Sequence, residues 1–223
     1  MEGTSKMRSS LFYTLNFIFI ALGIVLFPFI AVFRLIHRTW GATNDEVNSV
    51  CTGDSEVSMP VVSSTRAITI GATPQQIWPW LVQIGHRRAG WYAYDQFDND
   101  GISSATRIIP ELQHLQIGDV VGEEGFTVRT IDPNKSLVLA FHYPKVSWVF
   151  KEGIWPKFGH CSLAYILNPI SDNQTRLMMR MHFQFRLLSL PTLYWPLFEL
   201  ADFFSERKQL MSIKQRVEKA AAA

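Results

Sequence analysis

The chain has 223 residues, a formal net charge of +2, and 18% charged residues. No block of five like charges occurs, which excludes the charge pattern of a nucleic-acid-binding groove. Hydrophobic residues make up 48% of the chain and include 16 Phe and 7 Trp, enough to fill the core of one domain.

The first predicted element is a membrane-spanning helix over residues 11–33. This segment contains no Asp, Glu, Lys, Arg or His, and Lys6, Arg8 and Arg34 lie just outside it. At about 1.5 Å per residue it is long enough to cross a hydrocarbon core of about 30 Å. The run is too long for a cleaved signal peptide, and a buried core helix would alternate polar and apolar faces. Residues 1–38 are therefore predicted to form a single-pass anchor. The flanking positive charges nearly balance, so the side of the membrane that holds the rest of the chain stays open.

Residues 39–64 are polar and contain several turn formers, so they are predicted to be a linker or an extended arm. A domain is predicted from residue 65 to residue 219. It begins with an alternating strand at 65–70, followed by a helix at 75–84. Thr73 is the predicted N-cap of that helix, Pro74 its first residue, and Gly85 its end.

Residues 86–118 are predicted to form loops, with a short helical piece near 94–97. After them the apolar pattern changes to a period of two, which indicates strands. The candidate strands are 119–121, 126–132, 136–142, 147–151, 160–169 and 176–186. A long helix at 192–219, with an apolar stripe along it, closes the chain. This order predicts an α+β domain in which a sheet packs against the last helix.

The chain shows no pattern of a metal or cofactor site. Its six histidines have no ligand spacing, and there is no phosphate loop or dinucleotide glycine pattern, so neither a metal nor a cofactor is predicted. Cys51 and Cys161 lie far apart in sequence and are predicted to be independent thiols.

Several segments together resemble one protein superfamily. They include Trp40-Gly41-Ala42-Thr43, Ile77-Trp78-Pro79-Trp80-Leu81-Val82-Gln83-Ile84-Gly85, Arg88-Ala89-Gly90-Trp91-Tyr92-Ala93-Tyr94-Asp95, and Ile109-Pro110-Glu111-Leu112-Gln113. Over residues 39–218 the chain resembles the START-like, or SRPBCC, superfamily of polyketide cyclase/dehydrase and lipid-transport type, and most of all its membrane-anchored bacterial branch. The resemblance implies a helix-grip fold, in which a curved antiparallel sheet wraps the long C-terminal helix around an apolar cavity. The functions of the superfamily are diverse, so the resemblance does not fix an activity.

The densest group of candidate binding residues is Arg88, Trp91, Tyr92, Tyr94 and Asp95. As a cavity mouth, its aromatic rings would contact an apolar ligand while a charged member held a polar head. The alternative is a packed loop in which Arg88 pairs with Asp95 or with a carbonyl group at the end of a strand.

A second group of candidates follows from strand parity. Arg176 and Arg180 share one face of their strand with Met178, and the opposite face is predicted to line the cavity or to pack on the last helix. The candidates beyond the loop are Met179, Met181, Phe183, His142, Trp148, Tyr165 and Phe204.

These observations lead to three functional hypotheses. The first is a membrane-tethered protein that binds or carries a hydrophobic small molecule, such as a lipid, an isoprenoid or a polyketide-like compound. The second is a cyclase or dehydratase acting on such a ligand, which needs an acid/base pair inside the cavity. Its candidate residues are Asp95, Glu111, Tyr92, Tyr94 and His86. Glu111, His114 and Asp119 are a further acid/base group, for which turn capping and surface solvation are the alternative. The third is a docking subunit of a membrane protein complex. The sequence does not decide between a binder and an enzyme.

Overall fold

The computed structural model describes residues 29, 33, 34, 36–122, 125–147, 157–184 and 190–222. For residues 143–147, 157, 158 and 190–197 it describes the backbone only. The predicted span at 11–33 lies outside the described residues except for Phe29 and Phe33. Among the helices that the described residues form, none is long and apolar enough to cross a membrane. The chain divides into two compact units, Met1–His37 and Arg38–Ala223, and the second unit is described below.

The second unit contains one six-stranded antiparallel sheet with the strand order β1-β6-β5-β4-β3-β2. The strands are β1 (Val62–Ile70), β2 (Val120–Val121), β3 (Phe126–Asp132), β4 (Ser136–Ser147), β5 (Lys157–Ser171) and β6 (Gln174–Gln184). The helices are α1 (Asn44–Asn48), α2 (Pro74–Val82), α3 (Asp95–Asp98) and α4 (Leu190–Ala221), with short 3₁₀ turns at Asp54–Glu56 and Pro110–Leu112. The domain is therefore α+β, and a six-stranded antiparallel sheet with a long C-terminal helix fits a helix-grip fold.

The sheet has a core face and an outer face, which follow the alternation predicted for β6. Met179 and Met181 belong to the hydrophobic core, whereas Arg180 bonds to the segment that precedes β1. We call the side of Met179 the core face. Buried side chains of α2 and α4 join the same core, among them Ile77 and Leu210.

The α2 helix begins where its sequence signals predict. The Thr73 side chain accepts a hydrogen bond from the backbone N–H of Gln76, the Gln76 side chain accepts one from the N–H of Thr73, and Pro74 opens the helix. The helix ends at Val82, two residues earlier than predicted. Gly85 follows with φ +138°, and a Cβ atom there would lie 2.6 Å from Val121 Cγ1, so both conformation and space require glycine.

The α4 helix lies along the core face, and its C-terminal part bonds to the end of β1. Leu210, Ile213 and Val217 are fully buried. Near its end, Glu218 Oε1 accepts a hydrogen bond of 2.8 Å from Gly71 N, and Lys214 Nζ donates one of 2.9 Å to Thr69 O. These contacts join the C-terminal part of α4 to the end of β1.

The segment 39–61, predicted to be a linker or an extended arm, contains α1 and the first 3₁₀ turn. Arg176 on β6 pairs with Glu46 in α1 at 2.7 Å, and Arg180 pairs with Asp54 at 3.0 Å. Because these arginines lie on the outer face of β6, they fasten the segment to that face. The strand β1 begins at Val62, three residues before the predicted start.

The strands after residue 118 differ from prediction at one main point. A separate strand was predicted at 147–151, but β4 continues from Ser136 to Ser147 with a register shift against β5 between Tyr143 and Ser147. Residues 148–151 lie outside the described residues. The shift accounts for the break in alternation that suggested two strands.

Candidate functional site

A row of five aromatic rings lies between the core face of the sheet and α4. The rings belong to Trp91, Phe126, Phe141, Phe183 and Phe198, in that order, and we call them the aromatic row. Successive ring centroids are 5.7, 4.8, 6.2 and 6.0 Å apart, and every pair meets edge to face. The loop after α2, three strands and α4 each contribute one ring.

The middle and one end of the aromatic row keep part of their surface accessible. Trp91 and Phe183 are buried, whereas Phe126, Phe141 and Phe198 are partly exposed although they pack against the core. Accessible aromatic surface on the inner side of a sheet gains free energy when an apolar molecule covers it. The row is therefore a suitable wall for a binding site.

A buried arginine lies on the same core face as the aromatic row. Arg66 of β1 is opposite Met179 and is 0% exposed. Its Nη1 lies 3.4 Å from Asp202 Oδ2 and also pairs with Glu206, and its guanidinium lies 5.5 Å from the Phe203 ring centroid. We call Arg66, Asp202 and Glu206 the Arg66 cluster.

One carboxyl of the Arg66 cluster has a pKa close to neutral pH. Burial raises the pKa of the Asp202 carboxyl to about 6, against the opposing effect of the Arg66 charge. Burial likewise lowers the pKa of Arg66, while Asp202 and Glu199 oppose this shift. Glu199 is itself buried and pairs with Arg38. Asp202 thus changes its charge in the pH range where most proteins work.

The Arg66 cluster and the aromatic row lie close together. Asp202 follows Phe198 by four residues, which places both on one side of α4. Cys161 of β5 is the register partner of both Phe141 and Phe183. Burial raises the pKa of the Cys161 thiol, and the charge of Asp202 adds to this shift. Phe198 of the row and the titratable carboxyl of Asp202 thus lie on one side of α4.

The pKa of Asp202 gives a pH-dependent prediction. Between about pH 4 and pH 6 the unfolded chain loses this proton while the folded chain keeps it, so rising pH lowers the stability of the folded protein. We expect the stability of Asp202→Asn relative to wild type to increase by about 2–3 kcal/mol from pH 4 to pH 8. Chemical denaturation of both proteins across this range measures the difference, and a difference independent of pH would contradict it.

The predicted loop residues Arg88 and Tyr92 have structural partners. Arg88 Nε donates to Ile84 O at 3.1 Å, and its Nη2 donates to Val82 O at 3.0 Å, so its guanidinium closes the end of α2. The buried Tyr92 hydroxyl accepts from Gln83 Nε2 at 2.7 Å, and burial raises its pKa to about 12. Both residues stabilise the loop.

Asp95 also stabilises the loop. Its carboxylate accepts hydrogen bonds from Ser104 N at 2.9 Å and from Ser104 Oγ at 2.5 Å. Tyr94 is 43% exposed. Of the five predicted loop residues, Trp91 is the one whose ring belongs to the aromatic row. Arg88, Tyr92 and Asp95 are therefore packed as in the loop alternative, and Arg88 bonds to carbonyl groups at the end of α2 and not of a strand.

Met179, Met181, Phe183 and Tyr165, four of the predicted strand residues, belong to the core. Met179, Met181 and Phe183 lie on the core face. The buried Tyr165 hydroxyl donates to Gln209 Oε1 at 3.0 Å, and Gln209 Nε2 donates to Trp91 O at 2.7 Å. This chain of hydrogen bonds connects β5, α4 and the loop.

For three further predicted residues, His142, Trp148 and Phe204, the structure shows no place in the aromatic row. His142 pairs with His160 and is exposed. Trp148 lies outside the described residues. Phe204 is 48% exposed, because it follows Asp202 by two residues, or about 200° around a helix of 3.6 residues per turn. The structure therefore does not place Phe204 on the inner side of α4.

The acid/base candidates named from the sequence do not gather at the aromatic row. Glu111, His114 and Asp119 are exposed, and His86 pairs with Asp100 at 2.9 Å. Within the described part of the chain, no group of three or more His, Cys, Asp or Glu side chains is arranged to hold a metal ion.

The Arg66 cluster was not predicted from the sequence, although two signals for it exist. Arg66 alternates in phase with Ile68 and Ile70, which predicts an inward side chain. Asp202 and Glu206 are four residues apart on the predicted last helix, which places two carboxylates on one side of it.

Comparisons with known proteins give similar solved structures only. No protein-family model matches the chain, and no curated protein sequence matches it. Similar solved structures include a protein from Arthrobacter aurescens, with 14% identity, a TM-score of 0.45, and coverage of 78% of this chain and 92% of that one. A protein from Mesorhizobium loti has 14% identity and a TM-score of 0.43, over 71% of this chain and 98% of that one.

A third similar structure is the di-domain ARO/CYC BexL from the BE-7585A biosynthetic pathway. It has 15% identity and a TM-score of 0.43, over 73% of this chain and 48% of BexL, so this chain spans about half of that protein. Similarity at this level says nothing about activity. The membrane-anchored branch of the START-like superfamily stays a prediction.

Proposed function

We propose that this protein binds an apolar small molecule that carries one polar group, between the core face of the sheet and α4. The observation that supports this proposal is the partly exposed aromatic row beside the Arg66 cluster. Phe126, Phe141 and Phe198 would contact the apolar body of the ligand. Covering their accessible surface would contribute about 25 cal/mol per Å², before the cost of ordering the ligand.

Asp202 is suited to hold the polar group of the ligand. Its side chain is 17% exposed, whereas the Arg66 side chain is fully buried behind it. A carboxyl with a pKa of about 6 donates a hydrogen bond to a ligand carbonyl when protonated and accepts one from a ligand hydroxyl when ionised. The Arg66 charge keeps the ionised form accessible at neutral pH.

The predicted anchor at residues 11–33 adds a location to this proposal. A domain tethered to a membrane would meet apolar ligands at the concentration that they reach in the bilayer, and the tether would raise the effective concentration of the domain there. This location depends on the sequence alone, and the side of the membrane stays open.

Copurification of a ligand tests the proposal. The full chain is purified in mild detergent, measured by native mass spectrometry, and extracted with organic solvent for mass analysis. We expect one apolar species at a fixed molar ratio to the protein. Phe141→Ala, which removes a partly exposed ring from the middle of the aromatic row, should lose most of it.

The matched control is Phe97→Ala, since Phe97 is 61% exposed in α3 and does not belong to the aromatic row. This variant should retain the ligand at the wild-type ratio. Lipid that rises and falls with the detergent micelle, in the same amount for all three proteins, would contradict the proposal.

An enzyme of cyclase or dehydratase type is the second candidate function, and the position of Asp202 favours it. A carboxyl of pKa about 6 beside a buried guanidinium is suited to transfer protons at neutral pH. If the ligand is a substrate, Asp202→Asn should still bind it while losing conversion of the ligand to product. Loss of binding without any detectable product from the wild-type protein would favour the carrier.

A further inference from the structure

Two histidines face each other on the outer face of the sheet, away from the aromatic row. His142 of β4 and His160 of β5 are directly opposite in the strand register. Their Nδ1 atoms are 2.6 Å apart, and their ring centroids are 3.7 Å apart. His142 is exposed and His160 partly exposed, so the pair is accessible from solvent.

Two imidazoles at this distance cannot both carry a proton on the facing nitrogens. One Nδ1 donates its proton and the other accepts it, and two charged rings would repel each other. A neutral imidazole has one ring nitrogen with a free lone pair, which is the atom that binds a metal ion.

The spacing of the pair is close to that of two ligands on one metal ion. With Zn–N bonds of about 2.0–2.1 Å in a tetrahedron, two nitrogen ligands lie about 3.3 Å apart. Opening the pair from 2.6 Å to that distance needs less than about 1 Å of movement, which small side-chain rotations supply.

The geometry points to a second site on this protein, in which His142 and His160 chelate one late first-row divalent cation, Cu²⁺ or Zn²⁺. Water molecules complete the coordination. The order of divalent affinities for nitrogen ligands places Cu²⁺ above Zn²⁺. The site is independent of the proposed ligand in the interior.

His182, the third histidine of this face, has a partner for each of its ring nitrogens. His182 Nδ1 lies 2.8 Å from Ser63 Oγ, and its Nε2 lies 3.1 Å from Asp54 Oδ1. Nδ1 thus bonds to β1 itself, and Nε2 bonds to the segment before β1. The residue opposite His160 on β6 is Gln184, whose side chain is a weaker ligand. The cation is therefore held by two protein nitrogens.

Titration of the full chain with CuSO₄ and with ZnCl₂ tests the site, using protein purified without a polyhistidine tag. Calorimetry should give one ion per chain, and the electron paramagnetic resonance spectrum of bound Cu²⁺ should show two equivalent nitrogen ligands. Loss of an outer-shell partner alone costs about 10–100-fold in metal affinity. His142→Ala and His160→Ala should therefore each weaken binding by at least about tenfold.

The control is His114→Ala, since His114 is exposed and lies in the loop before β2. It should bind the ion as the wild type does. Far-ultraviolet circular dichroism of each variant shows that the sheet is retained, and His142→Gln provides a milder replacement. Wild-type affinity in both His142 variants, or Cu²⁺ with a single nitrogen ligand in the wild type, would overturn the assignment.

Discussion

Replacing Arg66 by Met is expected to lower the free energy of unfolding by about 3–5 kcal/mol. The substitution removes the cation from the Arg66 cluster while Asp202 and Glu206 stay on α4. Burying two carboxylates without a cation costs far more than the loss of one surface ion pair. Denaturation of the full chain in urea, followed by far-ultraviolet circular dichroism, measures the change.

A triple variant separates the charge effect from the loss of packing. Arg66→Met combined with Asp202→Asn and Glu206→Gln removes all three charges and keeps side chains of similar size. A protein in which neutral side chains of similar size replace a buried ion pair is often no less stable than the original protein. The triple variant should therefore recover most of the stability. A triple variant as unstable as the single one would show that Arg66 acts through packing alone.

Replacing Arg180 by Met is expected to release the segment 39–61 from the outer face of the sheet. The Arg180 side chain is 4% exposed and pairs with Asp54 at 3.0 Å. Its guanidinium also donates to three carbonyl oxygens, those of Ser49 at 2.7 Å, Glu46 at 2.5 Å and Val47 at 3.1 Å. Leaving these acceptors without a donor should cost about 2–4 kcal/mol.

Limited proteolysis measures this release directly. Cleavage between residues 39 and 61 should become much faster in Arg180→Met, while the sheet itself stays resistant. The matched control is Arg129→Met, because Arg129 also connects the sheet to this segment, through Glu56 at 3.6 Å, but is 48% exposed. An exposed pair contributes less than about 1 kcal/mol, so the control should be cut at the wild-type rate. Equal rates in the two variants would contradict the account.

The elements that the sequence predicted well are those with local signals. The capping residues around Thr73 and Pro74 place the start of α2 because the side-chain bonds they make are within one turn of the helix. The strand β3 has the predicted bounds, although its register against β4 shifts between Val128 and Thr130. The long α4 helix was found from its apolar stripe, within two residues at each end.

The contacts that the sequence did not predict depend on residues far apart in the chain. The linker prediction for 39–64 came from polar composition, which does not reveal that Arg176 and Arg180 supply partners from β6. Arg66 and Asp202 are separated by 136 positions, so their meeting follows only from the tertiary fold.

The loop motif shows why dense aromatic and charged residues do not identify a site by themselves. The side chains of Arg88 and Asp95 bond to groups of their own loop and helix end. Trp91, by contrast, faces Phe126 across the interior. Sequence spacing in an irregular loop does not determine which way each side chain points, because neither the helical nor the strand period applies there.

Photochemical crosslinking from within the aromatic row tests the central claim most directly. The photoreactive amino acid p-benzoylphenylalanine replaces Phe141 in the full chain, and the same replacement at Phe97 serves as the control. After irradiation of the protein with its copurified lipids, intact mass spectrometry measures covalent adducts. The account predicts one adduct of defined mass at position 141 and none of that mass at position 97. No adduct at position 141, or the same mixture at both positions, would contradict a binding site between the sheet and α4.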